Sequence, residues 1–255
     1  MHIFDLFKLE GKTAIVTGGG RGLGAQIAKG FAEAGANVVV CSRKLETCEE
    51  MSEEIKQLGV DSLALKCDVT NPEDVRHVVE KTLEKFGTID ILVNNSGATW
   101  AAPVEEMPLE AWNKVMNVNV TGTFLMSQEV GKVMIKQKRG KIINIASVAG
   151  LMGTPSIMQT IGYSTSKGAV ITFTKELAVK WGKYNINVNA IAPGFFPTKM
   201  TKVLIERGKD EILAGTPLNR LGQDADLKGA ALFLASSASD YITGDILTVD
   251  GGAHA

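Results

Sequence analysis

The stretch Thr17-Gly18-Gly19-Gly20-Arg21-Gly22-Leu23-Gly24 decides the fold, because it joins a strand-like run directly to a helical pattern. The run before it, TAIVT (13–17), is typical of a buried strand, and residues 22–35 have the periodicity of a helix. Glycines permit a tight turn and a close approach of phosphate, and the first N–H groups of a helix attract a pyrophosphate. The pattern therefore predicts a dinucleotide site that includes Gly18, Gly20, Arg21, Gly22, Leu23 and Gly24, rather than a flexible loop or a plain helix cap.

The same alternation continues along the whole chain. Strands are predicted at 37–42, 62–69, 90–95, 141–147, 185–193 and 245–252. Helices are predicted after the second strand to about 58, from about 72, at about 109–137 and at about 162–184. Such alternation predicts one doubly wound, seven-stranded parallel sheet with helices on both faces, and a ligand site at the carboxyl ends of the strands. We expect residues 1–255 to form a single domain. The least regular stretch, 197–223, is predicted to cover the site.

Composition limits the function further. The 255 residues are 45% hydrophobic with a net charge of -1, which suits one core and gives no basic field for nucleic acid. We find neither a signal-peptide pattern nor a 20-residue apolar run, so no membrane partner is expected. The three cysteines lack CxxC spacing, which favours reduced thiols and a cytoplasmic location. Three scattered histidines predict no metal site.

The end of the second strand indicates which dinucleotide binds. An NAD site usually has an acidic residue there, about 20 residues beyond the glycines, to accept hydrogen bonds from the ribose. This chain instead reads Cys41-Ser42-Arg43-Lys44. Arg43 and Arg21 can pair with a 2′-phosphate, although both can also be ordinary solvated arginines. The pattern favours NADP(H), with Ser42 and Arg43 in the site.

Tyr163 and Lys167 are four residues apart, so they share one face of a helix. A nearby ammonium favours the phenolate and lowers the pKa of a tyrosine, which then acts as acid or base. Ser147, at the end of the fifth strand, is a candidate for holding the substrate oxygen, or a simple cap. Asn119 is predicted mid-helix, where it binds water, kinks the backbone or points into solvent. A chance Tyr–Lys pair on the surface is the alternative for the motif alone.

Together these motifs resemble the classical short-chain dehydrogenase/reductase family. Thr17-Gly18, Gly22 and Gly24 match its TGxxxGxG turn, the closing VDGG matches, and Asn119, Ser147, Tyr163 and Lys167 match its catalytic tetrad in order. The resemblance covers Gly11 to about Gly252. It implies a single-domain Rossmann fold, hydride transfer between nicotinamide and a carbonyl or alcohol, a water beside Asn119 that connects Lys167 to solvent, and a homotetramer. It also implies cofactor contacts from Asp68, Val69, Asn95, Ser96, Gly97, Pro193, Gly194, Phe196 and Thr198, besides Tyr163 and Lys167.

The substrate is less defined. Sixteen positions separate Ser147 from Tyr163, whereas many family members have about thirteen. The longer loop, 150–162, borders the expected pocket, whose candidate lining is apolar: Trp100, Met152, Met158, Phe195, Phe196 and Met200. Alternatively, a sugar acid's carboxylate binds Lys199, Lys202 or Arg207.

The chain is most similar to the gluconate 5-dehydrogenase and 3-oxoacyl-carrier-protein reductase branches of the family. The segments GATW (97–100), APGFFPTKM (192–200) and LKGAALFLAS (227–236) carry that likeness. A non-catalytic, cofactor-binding regulator is a remote alternative, because all four tetrad residues are present.

Overall fold

A computed structural model describes residues 2–156, 158–199 and 201–255; the side chain of Arg207 is also outside the description. In this part of the chain seven parallel strands form one sheet in the order β3-β2-β1-β4-β5-β6-β7. The strands are β1 Thr13–Thr17, β2 Asn37–Ser42, β3 Ser62–Lys66, β4 Ile91–Asn94, β5 Gly140–Ile145, β6 Ile186–Pro193 and β7 Ile246–Val249. The predicted single-domain, doubly wound sheet is confirmed.

Eight α-helices lie between and beside these strands in the described residues. They are α1 Gly22–Glu33, α2 Leu45–Lys56, α3 Pro72–Phe86, α4 Leu109–Met116, α5 Gly122–Gln137, α6 Ile161–Trp181, α7 Lys202–Ala214 and α8 Asp224–Ala235. A π-helical turn, Asn117–Thr121, joins α4 to α5, so the single helix predicted over 109–137 is interrupted where Asn119 lies. Within the part of the chain that is described, no helix is long and apolar enough to cross a membrane.

The prediction that 197–223 is irregular was wrong in its middle, because helix α7 occupies thirteen of its residues. Gly208 has non-helical dihedrals (φ -135°, ψ 32°) and divides the helix. A glycine at the centre of a short amphipathic segment weakens both the propensity and the periodicity by which a helix is recognised.

The core has two halves, one on each face of the sheet. Successive residues of β1 alternate between them: Ala14 and Val16 belong to the half under α1, α2 and α8, whereas Ile15 belongs to the half under α3, α5 and α6. This period of two is what a pleated strand imposes, and burial on both faces explains why the three central residues of β1 are all apolar.

The strand order places the site. From β1 the chain proceeds to β2 and β3 on one side, and then returns to β4 on the other side of β1. The chain after β1 continues to one side of the sheet, and the chain after β4 continues to the other side. The two connections therefore separate above β1 and β4 and leave a crevice at the carboxyl ends of these strands, which is where ligands bind in sheets of this kind.

Candidate active site

A cleft of about 1450 Å³ opens at the carboxyl ends of β1, β2, β3 and β4. Most of the residues that the sequence predicts to bind the cofactor line it: Gly18, Gly20, Arg21, Gly22, Leu23, Ser42, Arg43, Asp68, Val69, Asn95, Ser96, Gly97, Tyr163, Lys167 and Thr198. Among the described residues, the predicted positions outside this lining are Gly24, Pro193, Gly194, Phe196, Asn119 and Ser147. The glycine turn and Tyr163, the two ends of the predicted site, therefore line the same cavity.

The glycine turn is built so that backbone, not side chains, faces the cleft. Gly18 and Gly22 have φ values of 63° and 57°, which L-residues rarely adopt. A Cβ at Gly24 would lie only 2.4 Å from the Gly18 carbonyl oxygen, so a side chain there is excluded by helix–strand packing. Gly24 thus holds α1 against the turn and does not itself face the cleft.

Hydrogen bonds of the Thr17 and Asn95 side chains join this turn to the end of β4. The Thr17 hydroxyl accepts hydrogen bonds from the Asn95 and Ser96 backbone N–H groups, both at 3.0 Å. In return, the Asn95 amide donates to the carbonyls of Thr17 (2.9 Å) and Gly18 (3.2 Å). Asn95 therefore fixes the width of the crevice between β1 and β4.

The end of β2 presents cations to the cleft. Arg43 and the neighbouring Lys44 line it, and the Ser42 hydroxyl stabilises the local turn by donating to the Lys44 carbonyl at 2.9 Å. Burial raises the pKa of Asp68, but hydrogen bonds from Thr70 and the positive charge of Arg43 outweigh it, so the pKa lies below its usual value. Asp68 is therefore ionised at neutral pH and lies within the field of Arg43.

Tyr163 and Lys167 project from the first turns of α6. The Lys167 ammonium lies 5.5 Å from the centre of the Tyr163 ring and donates a 2.6 Å hydrogen bond to the Ile145 carbonyl at the end of β5. Lys167 is only 5% exposed, and loss of water lowers its pKa to about 8. Its charge is therefore held in the interior by one carbonyl and by the tyrosine ring.

The pKa of Tyr163 is raised in the protein alone, contrary to the expected lowering. Burial is the largest cause, and an interaction with the Ser147 hydroxyl opposes it. The phenol is half-buried, so its anion loses hydration, while the Lys167 ammonium lies over the ring at 5.5 Å from its centre. Ser147 is brought next to Tyr163 as predicted, while its oxygen also caps the following turn by accepting from Ala149 N–H at 3.2 Å.

Asn119 is buried in the π-helical turn, which excludes the solvent-facing alternative. Its side-chain oxygen accepts from Ala98 N–H (2.7 Å), and its amide donates to the Ala98 carbonyl (2.9 Å) and to the Ser166 hydroxyl (2.8 Å). Ser166 in turn donates to the Tyr163 carbonyl at 2.7 Å. Asn119 thus connects the loop after β4 to the helix that holds Tyr163 and Lys167.

The Phe196 side chain does not line the cleft, whereas the sequence predicts it beside the cofactor and in the substrate pocket. It is 2% exposed within the core, and a Cβ at Gly222 would lie 2.5 Å from its ring. Phe195 and Phe196 line a second cavity of about 510 Å³ near the end of β7. Packing of the 216–222 loop over the ring is the physical reason. The predicted pocket residue Met200 lies outside the described residues.

Several cleft residues were missed by the sequence prediction of the cofactor site. Lys44 follows Arg43 directly and could have been included by charge alone, whereas Thr47 lies on α2 and reaches the cleft because α2 packs against the glycine turn. Lys199, Lys202 and Glu206 also line the cleft, although the sequence suggested these lysines only as ligands of a substrate carboxylate. The side chain of Arg207, the third such candidate, is not described.

A doubly wound sheet whose switch-point cleft holds a glycine turn and a Tyr–Lys pair defines the class of single-domain, dinucleotide-binding oxidoreductases. Residues 18–254 match the family model described as enoyl-(acyl carrier protein) reductase. A structure of a short-chain type dehydrogenase/reductase from Mycobacterium marinum superposes with a TM-score of 0.95 at 37% identity, covering 99% of both chains. The chain therefore belongs to the short-chain dehydrogenase/reductase family.

Particular relatives fall in both branches that the sequence suggested. A 5-keto-D-gluconate 5-reductase of Escherichia coli K12 is 40% identical over 253 residues, which is 97% of each chain. A 3-oxoacyl-acyl-carrier-protein reductase of Chlamydia trachomatis is 44% identical over 245 residues, 96% of this chain and 98% of the relative. A gluconate 5-dehydrogenase from Burkholderia cenocepacia, solved with NADP and tartrate, has a TM-score of 0.94 at 38% identity, with 99% and 98% of the two chains covered.

Proposed function

We propose that this protein is an NADP(H)-dependent oxidoreductase that interconverts a carbonyl group and a secondary alcohol, with Tyr163 as the acid and base. The observation that carries the proposal is that Tyr163 and Lys167 line the same cleft as the glycine turn and Arg43. A non-catalytic regulator would need the turn alone, whereas here the buried ammonium of Lys167 lies beside Tyr163 at the other end of the cavity.

The cleft fits a phosphorylated dinucleotide. Side chains at Gly19 and Gly20 would collide with Val40 and Thr47, so only glycine lets the turn pack this closely against β2 and α2. Gly18, Gly20 and Gly22 line the cleft, where their backbone can approach a phosphate closely. Arg21, Arg43 and Lys44 would hold the 2′-phosphate, Asp68 and Val69 the adenine, and Lys167 the nicotinamide ribose. Ser42, Asn95, Ser96, Gly97 and Thr198 would complete the walls. When bound, the dinucleotide supplies the donor or acceptor of a hydride.

Side chains of the protein transfer the proton that accompanies the hydride. In the reducing direction the Tyr163 phenol donates its proton to the substrate oxygen, and in the oxidising direction the phenolate removes it. The Ser147 hydroxyl, which already interacts with Tyr163, holds the same oxygen. The Lys167 ammonium, 5.5 Å from the centre of the Tyr163 ring, would favour the phenolate once it forms. Asn119 keeps the Ala98 loop beside α6, and its carboxamide oxygen has a lone pair free for the predicted water.

We infer that the substrate end of the site is apolar. Trp100, Leu151 and Met152 are 45%, 40% and 41% exposed on the loops that follow β4 and β5. Those two loops are joined by a 2.9 Å hydrogen bond from Ala102 N–H to the Gln159 carbonyl. We infer that hydrophobic ketones or acyl esters bind here, with residues 197–223 covering the site. A 5-keto sugar acid is the second candidate substrate, because one relative is a 5-keto-D-gluconate 5-reductase.

A homotetramer also belongs to the proposal. Leu109 on α4, Phe124 on α5 and Val179 on α6 are 71%, 44% and 83% exposed, so neighbouring helices present apolar side chains that nothing in one chain covers. Pairing α4–α6 of two protomers would bury them, and light scattering of the purified protein measures the resulting mass. We further place the protein in the cytoplasm, because Cys41, Cys48 and Cys67 are all free and buried.

The decisive experiment replaces Tyr163 by phenylalanine, which keeps the ring and removes the proton. Nicotinamide absorbance is followed with NADPH over a panel of hydrophobic ketones, acyl esters and keto sugar acids. We expect turnover to fall by about 10²–10⁴-fold with an unchanged Kd for NADPH, the usual contribution of acid–base catalysis. Tyr241→Phe, on a fully exposed tyrosine, is the matched control. Near-normal turnover of Tyr163→Phe would refute the mechanism, and tight NADPH binding without turnover of any carbonyl would favour a regulator.

A further inference from the structure

The segment that follows β6 forms a wall of the cleft next to the glycine turn. Pro197, Thr198, Lys199, Lys202 and Glu206 all line the cavity. A Cβ at Gly22 would lie 3.7 Å from the Thr198 side chain, so this wall touches the first residue of α1. The turn whose N–H groups are open to phosphate is thus enclosed on this side by a segment that carries two lysines.

The lysines are placed by a local hydrogen-bonded turn. Thr198 N–H donates to the Thr201 hydroxyl at 2.9 Å, and Lys202 N–H donates to the Thr198 carbonyl at 3.0 Å. The residue that touches Gly22 therefore also fixes the start of α7, and Lys199 and Lys202 flank it. Their backbone positions are coupled to the glycine turn through Thr198.

The cleft has more positive charge than the 2′-phosphate and the ribose require. Its lining holds six cationic side chains against the acidic Asp68 and Glu206: Arg21, Arg43, Lys44, Lys167, Lys199 and Lys202. Lys202 makes a loose ion pair with Glu206 at 3.8 Å, and within the described residues Lys199 makes no ion pair. Two cations on this wall are therefore available to an anion in the cleft.

We propose that Lys199 and Lys202 bind the pyrophosphate of the dinucleotide across from the glycine turn, an inference that rests on the proposed cofactor. The alternative ligand is the carboxylate of a sugar-acid substrate. The contact between Thr198 and Gly22 favours the pyrophosphate, because the anion that Gly22 faces is a cofactor phosphate and not the substrate.

The test is the Kd of NADPH and of NADH, from nicotinamide fluorescence without substrate, for Lys199→Ala, Lys202→Ala and the double variant. Exposed charge pairs are weak, so each single variant should bind about threefold to fivefold more weakly. Both dinucleotides carry the pyrophosphate, so the factor should be the same for NADPH and NADH. Added KCl should weaken binding by the unmutated protein more than binding by the double variant.

Two further variants sharpen the test. Lys209→Ala removes an exposed lysine of the same helix that does not line the cleft, and should leave both Kd values unchanged. Glu206→Gln removes the carboxylate next to Lys202 and should tighten both dinucleotides about twofold. A purely structural role of the segment would not produce effects of opposite sign.

Two results would overturn the inference. Unchanged dinucleotide Kd values, with a higher KM for keto sugar acids, would assign the lysines to a substrate carboxylate and leave the proposed function intact. Binding of neither dinucleotide by the unmutated protein would refute the proposed function itself, and the inference with it.

Discussion

Replacing Lys167 by methionine should make the cofactor-free protein more stable at neutral pH while removing its activity. The Lys167 side chain is almost fully enclosed, and its pKa falls from the ordinary 10.5 to about 8 because burial disfavours the ammonium. Methionine keeps the unbranched shape without the charge, so the variant isolates the free energy of holding a cation in the interior.

The magnitude follows from the pKa. Each pKa unit corresponds to about 1.4 kcal/mol, so a pKa of about 8 implies that the charged form destabilises the fold by roughly 3 kcal/mol. Losing the 2.6 Å hydrogen bond to the Ile145 carbonyl costs Lys167→Met about 1–2 kcal/mol in return. A net gain of about 1–2 kcal/mol at pH 7 remains, which corresponds to a Tm higher by roughly 2–6 °C for a chain of this size.

The pH dependence has a definite sign. Below pH 8 lysine is protonated in both states, and the folded state bears the full cost of the buried charge. Between about 8 and 10.5 the unfolded chain binds more protons, so the free energy of unfolding of the unmutated protein rises with pH. The advantage of Lys167→Met should therefore shrink over this interval and reverse by about pH 10, and only above about pH 10.5 does the lost hydrogen bond alone remain.

The assay is thermal and urea unfolding of both proteins without cofactor, from pH 6.5 to 10, at one fixed protein concentration because assembly affects stability. Lys180→Met, an exposed lysine on the same helix that pairs with Glu176, is the control and should change stability by less than about 0.5 kcal/mol at every pH. If Lys167→Met is less stable than the unmutated protein at pH 7, or if the difference does not vary with pH, the assignment of a destabilising buried ammonium is wrong.

Two other predictions concern specificity. Arg43→Ala should weaken NADPH binding about tenfold or more and spare NADH, because a charge-assisted contact contributes roughly 1.5–3 kcal/mol; equal affinities of the unmutated protein for both dinucleotides, measured by fluorescence titration, would contradict this. If Trp100, Leu151 and Met152 form the substrate wall, hydrophobic ketones or acyl esters should exceed keto sugar acids in kcat/KM in the same NADPH-coupled assay. A strong preference for 5-ketogluconate would reverse that ranking.

The sheet could be predicted from the sequence because its inner strands are buried and therefore apolar, while the half-buried edge strands β3 and β7 keep enough apolar residues to be recognised. The predicted bounds of β1 (13–17) and β2 (37–42) match the structure. The other strands differ from their predicted bounds at the ends, as at Ser62–Lys66, where residues after Lys66 extend the apolar pattern but not the strand. The helices could be predicted where capping or periodicity is strong, as at Pro72. Helix α7 could not, since its central glycine and polar composition hide it.

The site was predictable where a residue type is chemically required, and not where tertiary packing decides. Glycines with positive φ and the Tyr–Lys spacing have local signatures, so both were found. The family resemblance and its apolar character predict Phe196 at the cleft, but Gly222, distant in sequence, packs against its ring. The π-helical turn at Asn117–Thr121 has no signature in the sequence, because it depends on the partners that Asn119 finds in the fold.

Those partners change how the contribution of Asn119 should be understood. Both amide hydrogens are engaged, one by the Ala98 carbonyl and one by Ser166, whose hydroxyl donates to the Tyr163 carbonyl. The amide therefore has no hydrogen left to donate to substrate or to the phenol. A Cβ at Gly97 would lie 3.6 Å from the Asn119 side-chain oxygen and 4.0 Å from the Lys167 nitrogen, so these two atoms border one small space at the end of β4. Asn119 consequently acts on Tyr163 through Ser166 and the backbone of α6, and on Lys167 through that shared space, which makes it a positioning residue whose only free hydrogen-bonding capacity is on its oxygen.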